Sequence, residues 1–336
     1  MRKIIIYVLL LILSASCKKN KDEIPHKRRV VFTFLTGSSE GKHNIFLTNL
    51  DGSEIEGQQT GRGYIVSDQT IDADFPHFSP DGNYIVYHTN PTNTGDIWLV
   101  NAATMEYKKL TGSEYHIVYR FPAFSSDSRT ILFTKVYRPS GASSDQRELH
   151  SMDLNGRNDK LLISDLSSDF FAVTPDGTKM VYNKSGLYVA NTDGSNPIHL
   201  PSQYGINTRD INFFSGDSKW VVVGDSLFSL DGIQKKSINT ARAPGFFTCL
   251  NSDGSAYLES ITYSGITLTE LNALVYKTIK YTSGDNYGLS LFDPLDNTKI
   301  YYWSQMDNFS VIKNDGTDRK QLCQGAERFE LDPVAR

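Results

Sequence analysis

The chain has 336 residues, of which 39% are hydrophobic and 21% charged, with 34 Lys and Arg against 38 Asp and Glu. This composition is too apolar for a disordered chain and too often interrupted by charge for a polytopic membrane protein. The first 29 residues hold eight of the basic and two of the acidic residues, so residues 30–336 carry a formal charge of −10. A body of this charge repels phosphate backbones, and no nucleic-acid partner is expected.

The N-terminal segment is typical of a bacterial export signal. Arg2 and Lys3 precede an apolar run over residues 4–13, which is too short to cross a bilayer, and small residues lead from it to Cys17. This ending resembles the lipobox of bacterial lipoproteins. The resemblance implies that residues 1–16 are a removed signal peptide and that a lipidated Cys17 holds the chain at a membrane. An ordinary cleaved signal followed by an unmodified cysteine is the alternative.

Residues 17–29 are polar and basic, and they show no hydrophobic periodicity. Such a composition predicts a flexible tether between the anchor and the folded body. The charge of this segment is opposite to that of residues 30–336, so contact with anionic lipid headgroups is one use for it. A merely solvated linker is the other.

A phrase of nine residues recurs along the chain. The clearest copies are DFPHFSPDG at 74–82, RFPAFSSDS at 120–128 and DFFAVTPDG at 169–177, and weaker copies follow. Their aligned acidic residues lie 36 to 49 residues apart, on average 43: Asp81, Asp127, Asp176, Asp217, Asp253 and Asp296. Self-similarity at this period indicates a repeat architecture, in which each repeat is one supersecondary unit.

Each phrase begins a unit of four short segments rich in β-branched and aromatic residues. After the first phrase come Tyr84–Tyr87, Ile97–Val100 and Lys108–Thr111. The third segment usually leads to Asp-Gly or Asn-Gly, pairs that supply the positive φ angles of tight hairpins. Four short antiparallel strands per repeat predict the blade of a β-propeller.

The two ends of the body predict how the ring closes. Val30–Phe34 and Ile45–Asn49 are second and third strands without a first, and Arg328–Pro333 is a first strand without successors. Joined, they complete one blade and remove exposed sheet edges. The 307 residues from 30 to 336, at 43 per repeat, predict an all-β fold, a seven-bladed β-propeller of four-stranded antiparallel blades. An irregular repeat at 262–281 leaves six or eight blades open.

The phrase Phe-Pro-x-Phe-Ser-Pro-Asp-Gly, the strand after it and the closing Leu-Thr resemble the TolB-type propeller repeat of periplasmic proteins in Gram-negative bacteria. The resemblance extends over residues 30–336 and is strongest in three copies. TolB carries an α/β domain before its propeller, whereas here the tether leads directly into strands. The resemblance implies a location in the cell envelope, with the lipid anchor in the outer membrane and the ring facing the periplasm.

Enzyme motifs occur without the context that they need. Gly224-Asp-Ser-Leu227 matches the tetrapeptide of GDSL esterases, but all seven His precede Ser226, whereas those esterases need a downstream Asp and His. Gly37–Gly41 matches a nucleophile elbow, but no helical pattern follows it. Cys249 and Cys323 fall in an inner and an outer strand of neighbouring blades, too far apart to bridge, and are expected to be packing thiols. No catalytic residue, metal or cofactor is therefore predicted.

Candidate ligand-binding residues gather at one mouth of the predicted channel. The blade-to-blade connections share this face with the loops between second and third strands, and such loops carry function in rigid scaffolds. The polar residues expected there are Asp74, His88, Tyr115, His116, Arg120, Asp169, Arg209, Asp210 and Arg328. A charged girdle that only pairs blade to blade is the alternative to ligand contact.

A rigid ring with variable loops favours recognition over chemistry. The expected function is a binding or scaffold module for a protein or glycan partner in the cell envelope, working as a monomer. The alternative is a carbohydrate-active enzyme, because some oligogalacturonate lyases use a TolB-like propeller with a metal held by His near the axis, and His88 and His116 fall on the corresponding face. A purely structural envelope protein is a third class.

Overall fold

The computed structural model describes strands and turns of a single ring. The described residues are 28–36, 42–53, 55, 63–89, 94–112, 116–202, 206, 214–223, 226–237, 246–261, 265–271, 275–283, 285, 287–324 and 328–331. The predicted signal peptide, Cys17 and all of the tether except its last two residues lie outside them. Within these ranges no helix is long and apolar enough to cross a bilayer.

The described residues form 27 strands in seven antiparallel sheets, which are the seven predicted blades. Blade 1 contains β1 (Arg29–Thr36), β2 (Lys42–Asn49) and β3 (Tyr64–Ile65). Blade 2 contains β4 (Ala73–Phe78), β5 (Tyr84–Thr89), β6 (Ile97–Asn101) and β7 (Tyr107–Lys109). Blade 3 contains β8 (Ile117–Phe124), β9 (Thr130–Tyr137), β10 (Gln146–Asp153) and β11 (Lys160–Ile163). Blade 4 contains β12 (Phe171–Val173), β13 (Lys179–Asn183), β14 (Leu187–Asn191) and β15 (Ile198–Leu200).

The remaining blades follow the same order. Blade 5 contains β16 (Trp220–Val223), β17 (Ser226–Ser229) and β18 (Lys235–Ser237). Its inner position is taken by Phe214, which forms a single bridge to Val221. Blade 6 contains β19 (Phe246–Leu250), β20 (Ala256–Ile261), β21 (Gly265–Glu270) and β22 (Val275–Lys280). Blade 7 contains β23 (Tyr287–Asp293), β24 (Asp296–Ser304), β25 (Asn308–Lys313) and β26 (Lys320–Cys323), and the last strand is β27 (Arg328–Leu331).

The ring closes as the sequence predicts. The strand β27 pairs with β1, with Val30 opposite Leu331 and Thr33 opposite Arg328. The last strand of the chain is therefore the inner strand of blade 1, in the order β27-β1-β2-β3. The count of seven blades settles the uncertainty that the irregular repeat at 262–281 left, because this stretch supplies β21 and β22, which pair in the same sheet as β19 and β20.

The hydrophobic core lies between the blades. Middle strands are apolar on both faces because each blade is covered by two neighbours, and Ile85, Val86 and Tyr87 of β5 are all buried. Between blades 1 and 2, for example, Ile45 packs in one cluster with Ile85. The outer strands β7 and β18 are exposed, and their lysines protect these free edges from pairing with other chains.

The turn after each inner strand explains why the nine-residue phrase recurs. In blade 2, Ser79 Oγ donates to Asp81 Oδ1 over 2.6 Å, and the backbone N–H of Asp81 donates to Ser128 Oγ of blade 3 over 3.0 Å. In blade 4, Gly177 has a φ of +70°, and a Cβ there would lie 2.5 Å from the backbone nitrogen of Ser126. The phrase thus ties each blade to its neighbour, and its Gly is required where the turns approach closely.

Candidate functional site

A polar cavity lies on the predicted ligand face of blade 3. Its volume is about 570 Å³, and it is bounded by the start of β8, the hairpin between β9 and β10, and the start of blade 4. Because the strands are antiparallel, the blade-to-blade connections and these hairpins fall at the same end of each blade. The charged and titratable residues of the lining are His116, Arg120, Arg138, Asp145, Arg147 and Asp169.

The cavity brings together three of the residues that the sequence singled out, His116, Arg120 and Asp169. Arg120 Nη1 donates to Asp169 Oδ2 over 3.1 Å and so links blade 3 to blade 4. The two side chains are 36% and 29% exposed, and a pair in such a solvated position contributes at most about 1 kcal/mol to stability. This contact is a blade-to-blade pair of the kind that a charged girdle predicts, and it also orients Arg120 within the cavity.

The guanidinium groups of the cavity are only partly satisfied. Arg120 Nε is buried and has no hydrogen-bond partner among the described residues. Arg147 Nη1 donates over 3.4 Å to the backbone oxygen of Asp145, and Arg147 forms no ion pair in the part of the chain that the structure describes. Arg138 is paired, since its Nη2 lies 2.7 Å from Asp145 Oδ1. Three arginines thus face two carboxylates in one cavity.

The long hairpin of blade 3 supplies most of the residues that line this site. Both β9 and β10 have eight residues, whereas β5 has six and β13 has five. The turn at its tip is closed by the N–H of Ala142, which donates to the carbonyl of Pro139 over 3.0 Å, and by Gly141 with a φ of +80°. Arg138 directly follows β9 and Arg147 is the second residue of β10, so both lie at the loop end of this hairpin.

Sequence reasoning missed Arg138, Asp145 and Arg147. The one signal that could have found them is the spacing of 49 residues from Asp127 to Asp176, the longest in the series. Extra residues within one repeat are expected in a loop on one face of a repeat protein, often the binding face.

Asp74 lies in β4 and His88 in β5, the first two strands of blade 2. They face each other across the β4–β5 pair, and both are buried. The N–H of Phe121 donates to His88 Nδ1 over 3.3 Å, which assigns the proton of a neutral His88 to Nε2. The imidazole stacks on Phe75 with centroids 5.3 Å apart. Ligand contact by these two residues stays a prediction.

Phe75 and Phe121 hold strained backbone at the channel mouth. Their φ angles are +54° and +50°. A bulge interrupts the pairing of β4 with β5 at Phe75 and the pairing of β8 with β9 at Phe121. A positive φ is costly for a bulky residue and persists where the surrounding packing determines it. Here the bulges allow the rings to meet edge to face, with the centroids of Phe75 and Phe121 4.9 Å apart and those of Phe121 and Phe170 5.3 Å apart.

A second cavity of about 200 Å³ follows the axis of the ring, and residues from all seven inner positions line it. Its wall is mostly apolar, with Phe170, Phe214 and Phe292 among the lining residues. Polar contacts within it join β4 to the closing strand β27: His77 Nδ1 lies 2.5 Å from Glu330 Oε2, and the N–H of Phe78 donates to Glu330 Oε1 over 3.3 Å. These contacts link blade 2 to the strand that closes blade 1.

Some predicted site residues cannot be placed. Tyr115, Arg209 and Asp210 lie outside the described residues. Arg328 is placed in β27 by its backbone.

The metal-lyase alternative depends on His88 and His116, and the structure describes both residues. His88 lies in β5 against the phenyl rings of Phe75 and Phe121, whereas His116 lines the polar cavity of blade 3. In the described ranges no group of three or more His, Cys, Asp or Glu side chains is arranged to hold a metal ion.

Comparison with known proteins gives a fold and no family. No family model and no curated protein matches the chain. Among solved structures, TolB from Acinetobacter baumannii is 18% identical over 91% of this chain and 67% of its own, with a TM-score of 0.52. An oligogalacturonate lyase in complex with manganese is 13% identical over 82% of each chain, with a TM-score of 0.57. A puromycin-hydrolyzing peptidase from Mycobacterium tuberculosis is 13% identical with a TM-score of 0.58, over 89% of this chain and 54% of its own.

The chain therefore has a TolB-like propeller fold. It spans about half the length of that peptidase. At these identities the likeness shows the fold alone, because the same propeller carries different functions in these proteins.

Proposed function

We propose that this chain is an exported, lipid-anchored binding propeller, which recognises a protein or glycan partner in the bacterial envelope through the loop face of its ring. The observation that supports recognition is the polar cavity of blade 3, about 570 Å³ in volume, where a buried Arg120 Nε has no partner among the described residues. Buried donors are normally satisfied, so a ligand that turns the Arg120 side chain and accepts this bond is favoured over the empty cavity.

The anchor in this proposal rests on the sequence. Cys17 follows an export signal and precedes a basic tether, and lipid chains on it would hold the ring at a membrane surface. The TolB-like fold is consistent with the periplasmic side of the outer membrane. A rigid ring held there presents its loops to other components of the envelope as a scaffold.

A site-specific cross-linker tests the recognition face. A photoreactive amino acid in place of Ala142, which is exposed at the rim of the cavity, is expected to give a discrete adduct in cells that express the chain from its own promoter. The matched control replaces Asn155, which is exposed in the β10–β11 turn at the opposite end of the same blade. Adducts at both positions, or at neither, contradict the proposal. Mass spectrometry of the adduct distinguishes a protein from a glycan.

A further inference from the structure

We infer that the blade 3 cavity is a carboxylate-binding site for an acidic peptide segment of a protein partner, with Arg147 and Arg120 as the recognising groups. This inference rests on the proposed recognition function and names the chemistry of its ligand. It concerns the cavity between β8, the β9–β10 hairpin and Asp169 of blade 4.

The hydrogen-bond inventory of the cavity favours an anion. A guanidinium has five N–H donors and no acceptor, so only an acceptor can complete it. Arg120 donates through Nη1 to Asp169 while its buried Nε has no partner in the described chain, and Arg147 has a single long bond to a backbone carbonyl. A carboxylate matches the fork of a guanidinium with two parallel bonds, and such charge-assisted bonds are about twice as strong as neutral ones.

The local charge is opposite to that of the whole ring. Residues 30–336 carry a formal charge of −10, yet the cavity holds three arginines and two aspartates. Charges farther away than about 8 Å are largely screened at physiological salt. An acidic group therefore responds to the arginines nearest to it, while the rest of the surface discourages binding elsewhere.

The lining favours a peptide over an acidic sugar. Sugar rings commonly stack on aromatic faces, but Tyr137 is the one Phe, Tyr or Trp side chain of the lining among the described residues, and the Lys135 ammonium lies over its ring, 5.8 Å from the centroid. Beside the arginines lie the aliphatic groups of Val118, Val136 and Pro139. A carboxylate next to methylene groups, as in a glutamate side chain, is complementary to this mixture, and arginine clusters are a recurring means of reading acidic motifs.

Binding of a fluorescein-labelled hexaglutamate peptide to the full chain, followed by fluorescence anisotropy, tests the inference. The variant Arg147→Gln is expected to weaken binding at least tenfold. The variant Arg147→Lys keeps the charge but loses the fork, and its affinity is expected to lie between those of the natural chain and of Arg147→Gln. The matched control Arg157→Gln removes the same charge from an exposed position at the other end of blade 3 and is expected to change binding less than twofold. A hexaglutamine peptide is expected not to bind.

Three outcomes overturn the inference. Equal losses in the Arg147→Gln and Arg157→Gln variants would reveal general charge attraction, and equal binding of hexaglutamine would remove the role of the carboxylate. Arg147-dependent binding of a polyuronate fragment without peptide binding would assign the cavity to a glycan. Circular dichroism melts of every variant establish that it is folded.

The two proposals can fail separately. A cross-link at Ala142 without Arg147-dependent peptide binding supports a recognition face and refutes the acidic ligand. Arg147-dependent binding of hexaglutamate without any adduct at Ala142 supports the carboxylate site and refutes recognition of an envelope partner at that face.

Discussion

At the scale of single residues, the two described cysteines behave as packing groups. Cys323 is buried in β26 and Cys249 is half-buried in β19, and both are free thiols, as the sequence predicts from their positions in neighbouring blades. Burial raises the pKa of each thiol to about 12. Because the thiolate is the reactive form, neither is suited to redox or nucleophilic chemistry at neutral pH.

Thiol titration checks this assignment. In a Cys17→Ser variant, which retains only these two thiols, we expect almost no reaction with Ellman's reagent at pH 8 in the native state, and two equivalents after unfolding in guanidinium. Rapid release of one equivalent of thionitrobenzoate from the native protein would contradict it. Cys249 would then be the reactive thiol, because it lines the axial cavity.

At the scale of elements, the aspartates of the turns link stability to pH. In several blades a hydroxyl two residues farther on donates to the carboxylate and lowers its pKa: Ser195 for Asp193, Ser255 for Asp253 and Thr317 for Asp315. In Asp296, hydrogen bonds from Lys299 and Thr298 lower the pKa to about 2. A carboxyl with a lowered pKa in the folded state stabilises the fold above its unfolded pKa, and this contribution is lost as the pH falls through the folded value.

We therefore expect the free energy of unfolding to fall as the pH is lowered from about 4 towards 2, starting near the model-peptide pKa of aspartate. An Asp296→Asn variant should be less stable than the natural chain at pH 6 and equal to it only below about pH 2, where the carboxyl is protonated in the folded state as well. Urea unfolding, followed by tryptophan fluorescence across this range, measures the difference. A difference that does not change with pH would contradict the role of the ionised carboxylate.

At the scale of the whole molecule, the ring is closed by the four residues of β27, which pair with β1. Phe329 of β27 is buried, and its ring packs against Phe309 of blade 7 with centroids 4.6 Å apart. The same cluster contains Phe32 of blade 1, so this side chain fills the seam where the two ends of the chain meet. Removing it leaves a cavity at the site that holds the ring shut.

The Phe329→Ala substitution is expected to lower the free energy of unfolding by about 3–5 kcal/mol, the usual cost of deleting a buried phenyl ring. Its control is Leu161→Ala in β11, where a side chain that is 48% exposed should matter by less than about 0.5 kcal/mol. Urea denaturation of both variants measures these values. Similar losses in the two variants would show that the closing strand does not stabilise the ring.

The candidate site was only partly predictable. The sequence predicts His116, Arg120 and Asp169 on one face because they open or precede first strands, and they do line one cavity. The same rule predicts Asp74 there, yet Asp74 is buried in β4, where its carboxylate accepts the N–H of Phe75 over 2.9 Å. Position along a strand gives the end of the blade where a residue lies. It does not give the direction of the side chain after a bulge.

By itself, the sequence determined the repeat and the manner of closure and predicted seven blades, because strand periodicity, turn residues and the nine-residue phrase are local features that each blade repeats. Only the tertiary structure decided where a ligand can bind. The cavity joins β8, an elongated hairpin and the start of the next blade, and its chemistry depends on which arginine donors remain open after Asp145 and Asp169 are paired. The pairing of these arginines with carboxylates is set by the geometry of side chains from distant segments, which no local sequence pattern encodes.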